Sequence, residues 1–249
     1  LPTLAFVPDK RSSGRSALSI KAQFSLLMSN QLMWRLLAAD FLAGFGTAVR
    51  GALYIFVASK YFELPGHASL ALLLYFVASF LAMPLWMKLA IKLGKAQALT
   101  IALGYGALIN LILIPLAEPG NAVVLWGFTL SFGVAFGAAP TLLRTMMAAL
   151  TDLDELDSGE KRAGLFFAML TTTNKLGAAV AVGLSFTILE AVFAFQPAAE
   201  NSEAALQGLL WTYAIGTAAG LLLAALPVIN YPLNRAQHQK IRDQLDARA

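Results

Sequence analysis

The sequence predicts an all-α integral membrane protein, six transmembrane helices forming one six-helix bundle. Three observations carry that prediction. Of the 249 residues, 58% are hydrophobic and only 13% charged, against a charged share of about 25% in soluble domains. Six apolar runs each reach the roughly 20 residues that cross a bilayer. The runs are continuous rather than alternating, which argues against transmembrane strands.

The first run is Leu36 to Ala58 and the second Ser69 to Met87. The third is Ala96 to Ala117; the fourth is Asn121 to Leu143, its helix continuing to Leu150. The fifth, Ala163 to about Phe195, is long enough to tilt or protrude. The sixth is Ala204 to Ile229. Chain breakers sit between them: Pro65-Gly66, Gly94, Pro119-Gly120, Ser158-Gly159, Pro197 and Pro232. Residues 1–34 read as a linker, 35–230 as the bundle and 231–249 as a tail. Within the linker, Leu18 to Trp34 is open to two readings, a short interfacial helix or loose chain. The tail from Asn234 is a polar helix candidate. The chain starts at Leu1 without a recognisable signal peptide, and reads as a piece of a longer polypeptide.

Lysine and arginine set the expected orientation. Lys10, Arg11, Arg15, Lys21 and Arg35 precede the first span; Lys88, Lys92 and Lys95 lie between the second and third. Lys161 and Arg162 lie between the fourth and fifth, and Arg235, Lys240, Arg242 and Arg248 follow the sixth. The opposite side has Lys60. Both termini and the charged Thr151–Gly164 stretch, TDLDELDSGEKRAG, are therefore expected in the cytoplasm, with the chain in the inner (plasma) membrane. That stretch reads as water between two crossings.

The absence of cysteine removes disulfides and thiolate metal sites, and the two histidines, His67 and His238, are far apart. No metal or cofactor is expected, and the net charge of +4 reads as a topology signal rather than a nucleic-acid footprint. An intramembrane enzyme needs clustered groups such as paired histidines or a serine with a base, and the sequence has none. The expected class is therefore not an enzyme.

Ionisable residues inside the spans mark candidate sites, because each costs about 2.5–3.5 kcal/mol on insertion scales. Lys175 lies roughly 18 Å along its helix from Ala163. Its neighbours Thr171, Thr172, Ala178 and Ala179 form a small, partly polar stripe suited to lining a cavity or packing on another helix. Two readings stand for it: a cation working with the carboxylate that handles a coupling ion, or a lysine pinned for structure. In the first span, Asp40, Ala43, Gly44, Gly46, Thr47, Arg50 and Gly51 share a polar, glycine-rich face expected to look into the bundle. Phe41, Leu42, Phe45, Val49, Ala52, Leu53 and Phe56 share a bulky face expected to meet lipid. Asp40 and Arg50 are about 15 Å apart along the helix and cannot pair, so each needs a partner elsewhere. For Arg50 that partner is an anionic substrate group or an acid of another helix. For Asp40 the expectation leans to structure near the interface. Arg144 is expected to snorkel or to pair with Asp152 or Asp154. Asn110, Trp126, Pro140 and Asn174 are read as packing residues that can also line a cavity.

The order Asp152, Asp154, Glu155, then Lys161-Arg162, Gly164 and Lys175-Leu176-Gly177 resembles the glycoside–pentoside–hexuronide:cation symporter family, the melibiose-permease-like branch of the major facilitator superfamily. Ser19 to Leu32, SIKAQFSLLMSNQL, is similar to that family's linker into its seventh helix. The resemblance covers the C-terminal half of such a transporter. It implies a twelve-helix fold of two bundles, alternating access and symport of sugars or glycosides with Na⁺ or H⁺. It implies an N-terminal six-helix half as partner, with a small solute, a coupling cation and the bilayer. Under it, Lys175, with Arg50, Asp40, Thr171 and Thr172, lies near the cation and substrate cavity. Arg144, Asp152, Asp154, Glu155, Lys161 and Arg162 form a cytoplasmic gate locking the halves; their bland reading is a solvated loop. Ala149 stands where the family often has an acid, and Asp40 and Arg50 lie outside its pattern. Lysolipids or other anionic solutes are the alternative cargo, and a non-transporting scaffold the third reading.

Overall fold

The computed structural model describes residues 30–248. Helix α1 spans Gln31–Phe56 and ends in a π-helical turn, Val57–Tyr61. The Asn30 side chain starts it by accepting from the Met33 amide. It begins inside the segment read as linker; the remaining linker features before residue 30 lie outside the described residues. Helices α2 (Pro65–Leu93) and α3 (Lys95–Leu116) are separated by Gly94, whose φ of 100° suits glycine alone.

The fourth crossing is two helices, α4 (Ala122–Phe136) and α5 (Ala138–Ser158). Pro140 explains the break. Its ring crowds the carbonyl four residues back, and that residue is Phe136, where α4 ends. Helix α5 runs well past Leu150, so the charged stretch is mostly helical rather than a loop. Nothing in Thr151–Ser158 stops a helix until Gly159, which takes φ 73° while its amide bonds the Glu155 carbonyl. Non-helical chain is thus confined to the short turn at residues 159–162 before α6 (Ala163–Phe193). Helix α7 spans Glu203–Ala225, extended by a 3₁₀ turn, Leu226–Val228. The tail forms α8, Arg235–Asp246, opened by a capping box of Asn234 and Gln237.

Six of these segments are long and apolar enough to span a membrane. Their packing is symmetric under exchange of the first three crossings with the last three. Helix α1 packs on α6 and α7, just as α4 packs on α2 and α3, and α3 packs on α7. Such symmetry matches the repeat construction of secondary transporters. Glycines make both equivalent crossings close. Gly177 lies against the Phe41 carbonyl, and a Cβ on Gly44 would stand 2.8 Å from the Asn174 carbonyl oxygen. In the mirror contact, Gly133 and Gly137 lie against the Tyr75 and Ser79 carbonyls.

This packing corrects the lipid face expected for α1. Val49 and Leu53 are buried, and Phe41, Leu42, Phe45, Ala52 and Phe56 are half-buried. The cause is position: α1 is wedged between α6 and α7, so its bulky side fills helix–helix contacts. Lipid-like exposure falls instead on α2, through Leu73, Phe80 and Leu81 among others.

One end of the bundle brings the start of α1 beside the end of α7. Arg35 donates to the Pro227 and Ile229 carbonyls at 2.6 and 2.7 Å, and its guanidinium lies 5.3 Å from the Tyr231 ring. Helix α8 docks at the same end. At the other end, Lys60 caps the Ala199 carbonyl and the Gly120 amide bonds the Phe62 carbonyl.

Candidate functional site

Two adjoining cavities form a corridor between α1, α2, α4–α5 and α6. The larger, about 230 Å³, is lined by Arg50, Tyr54, Tyr75 and Thr129 among others. The smaller, about 190 Å³, is lined by Asp40, Pro140 and Arg144 among others. Gly44, Thr47, Phe136 and Asn174 belong to both. Gly51, Leu72 and Phe76 at the wall of the larger one are exposed, so it opens on the outer side of the bundle.

Arg50 sits within the larger cavity's wall, 4% exposed. Its Nη1 donates to Asn110 Oδ1 at 2.7 Å, and Asn110 is itself held by donating to the Gly106 carbonyl. The guanidinium carbon lies 4.2 Å from the Phe132 ring centroid and 4.8 Å from that of Tyr213. The acid partner considered from sequence is missing among the described residues, whose ion pairs are Lys161–Glu155, Arg162–Asp154 and Arg242–Asp152. Two desolvated cation–π contacts at roughly 2 kcal/mol each and a charged hydrogen bond at about 1.5–3 kcal/mol offset a burial cost of several kcal/mol. The charge is thus held without being neutralised.

Asp40 is buried too, and its partner is also an asparagine. Asn174 Nδ2 lies 3.3 Å from both the Asp40 carboxylate and its carbonyl. Arg144 lines the same cavity without an ion pair, donating instead to the Pro140 carbonyl one turn back. It does not reach Asp152 or Asp154, whose partners lie elsewhere.

Lys175 is exposed on the outside of the bundle, where it lines an open groove along α6 together with Thr171 and Thr172. Both threonine hydroxyls bond backbone carbonyls of their own helix, those of Phe167 and Ala168. The Gly177 contact with α1 explains the orientation. At about 100° per residue, Lys175 points roughly opposite to Gly177, away from α1.

The proposed gate residues engage partners within this chain. Arg162 grips Asp154 with two hydrogen bonds, 3.0 and 2.7 Å. Lys161 lies 3.6 Å from Glu155. Asp152 meets His238 at 2.8 Å and Arg242 at 3.6 Å, both from α8, and Arg248 donates to the Leu156 carbonyl. Sequence reading assigned α8 no role; here it covers the end of α5.

Asn174, expected to pack but able to line a cavity, does line both cavities; Asn110 is buried as Arg50's partner, and the aromatic box of Phe132 and Tyr213 was not foreseen. A lone asparagine deep in an apolar helix is the signal that points to a polar partner across the bundle.

Six spanning helices with repeat-like packing around a polar corridor define one bundle of a membrane transporter, not an enzyme. A model described as MFS/sugar transport protein matches residues 5–235, and the chain belongs to that family. Over 138 residues it is 32% identical to a Synechocystis sp. protein named uncharacterized symporter sll1374. That match takes in 53% of this chain and 25% of the relative, so the chain spans well under two thirds of the protein it resembles.

Proposed function

We propose that the chain is the C-terminal bundle of a cation-coupled symporter for sugars, glycosides or related small solutes, working by alternating access. The observation that carries this reading is the polar corridor opening on one side of the bundle, walled by α1, α2, α4–α5 and α6. A second bundle placed against that side would enclose a central binding site near mid-membrane. Lys175, Thr171 and Thr172 would then look toward the second bundle, where an ammonium can work with the carboxylate that handles Na⁺ or H⁺. The charge asymmetry supports a cytoplasmic position for the chain ends and α8, in a transporter of the inner membrane. The Asp152–Arg162 cluster braces α5 and α6 on that side and serves as the cytoplasmic gate together with Arg144.

The test is uptake by the full-length protein in proteoliposomes under imposed Na⁺ or H⁺ gradients. Lys175→Ala is expected to abolish gradient-driven accumulation while leaving thermal stability within error, because the exposed Lys175 side chain makes no hydrogen bond or ion pair among the described residues. Unchanged accumulation in that variant would refute the coupling role.

A further inference from the structure

The geometry points to Arg50 as the residue that binds an anionic group, carboxylate or phosphate, on the transported solute, so that the cargo is negatively charged. This rests on the transporter reading above.

Four observations converge. The guanidinium is permanently charged, buried, and has no carboxylate partner among the described residues. It is nonetheless fixed: rings of Phe132 and Tyr213 flank it, and the Asn110 bond uses only Nη1. It lines a cavity with no Asp or Glu in its wall, where Thr47, Tyr54, Thr129 and Asn174 supply hydroxyl and amide groups. Asp40, the acid on the same helix, is ten residues away, about 15 Å.

A cation kept only for structure would more simply sit beside an acid, as Arg162 does beside Asp154. At Arg50 the fold does the opposite. Rings and a neutral amide hold the group in place without cancelling its charge, leaving a positive potential in a cavity of low dielectric. Guanidinium edges present parallel N–H donors to planar or tetrahedral oxyanions, and the neighbouring hydroxyls can bond the remaining polar groups of a small solute. A neutral sugar would leave the charge uncompensated on binding; an anionic one would neutralise it.

The experiment measures binding of glucose, glucuronate and glucose 6-phosphate to the purified full-length protein, by ligand-dependent shifts of the thermal midpoint. Wild type, Arg50→Lys and Arg50→Gln are compared. Wild type is expected to bind one of the two anions at least about tenfold more tightly than glucose. The favoured anion distinguishes carboxylate from phosphate. Arg50→Lys is expected to keep part of the preference, and Arg50→Gln to bring the two affinities within about twofold of each other. Equal binding of all three probes by wild type overturns the inference, and needs no variant to fold. So does an anion preference that survives Arg50→Gln, or a loss of affinity in that variant that is equal for neutral and charged probes. Anion binding that persists without any gradient-driven uptake keeps the Arg50 site and refutes the transporter reading instead.

Discussion

Replacing Asp154 by asparagine tests whether the α5–α6 turn is a clasp or merely solvated charge. The side chains of Arg162 and Asp154 are 6% and 12% exposed, and two hydrogen bonds join them at 3.0 and 2.7 Å. Arg162 has no fallback, since its Nη1 already lacks a partner. Asp154→Asn keeps the shape, removes the negative charge and leaves a buried guanidinium uncompensated. Removing one member of a buried pair costs about 3–5 kcal/mol, and the residual exposure of Asp154 places this case near 3 kcal/mol. For a cooperative unit of this chain's size, each kcal/mol moves the midpoint by about 2–4 °C, so a drop of about 6–12 °C is expected. The assay is thermal unfolding of the purified full-length protein in detergent, followed by tryptophan fluorescence. The double variant Asp154→Asn/Arg162→Leu is expected to recover much of the loss, because the orphaned charge is gone. A single-variant shift below about 2 °C would place the pair among surface salt bridges of little worth and refute the clasp.

Asn110→Leu removes the acceptor that fixes Arg50 and is expected to cost about 1.5–3 kcal/mol, read as a lower unfolding midpoint. Gly177→Ala drives a methyl group into the Phe41 carbonyl and is expected to cost about 1–3 kcal/mol. Gly104→Ala, facing open space, is expected to be neutral or stabilising by up to about 1 kcal/mol; comparing the two midpoints checks the crossing. Ending the chain after Leu233 deletes α8 and its contacts to Asp152 and Leu156. The deletion also removes the buried side chain of Ile241, so the expected loss is about 1–3 kcal/mol, of which only the ion-pair part shrinks as salt is raised.

The crossings were legible in the sequence because a bilayer demands long apolar runs, and all six fall where those runs are. The charged stretch was harder to read, because charge marks exposure to water and does not itself end a helix. Thr151 to Ser158 has no breaker, and a helix that leaves the membrane can continue in water, as α5 does to Gly159. The split at Gly137 was foreshadowed by Pro140 and not drawn out. The faces of α1 and α6 were legible in part. The polar face of α1 could be read and does turn inward, with Asp40, Gly44, Gly46 and Arg50 buried, but its bulky face meets other helices instead of lipid. Helix α6 is apolar nearly all round, so periodicity leaves its rotation open, and the contacts at Gly44 and Gly177 fix how the two helices meet. The partners of Arg50 and Asp40 lie 60 and 134 residues away in sequence, a separation that no local pattern encodes.

The outward-facing Lys175 has a consequence for assembly. Held in hydrocarbon with no cover, an ammonium costs about 2.5–3.5 kcal/mol on insertion scales. If the second bundle of the proposed transporter docks on α6 with a polar surface, that penalty is relieved, so the lysine proposed to couple ion flow would also favour association of the two bundles.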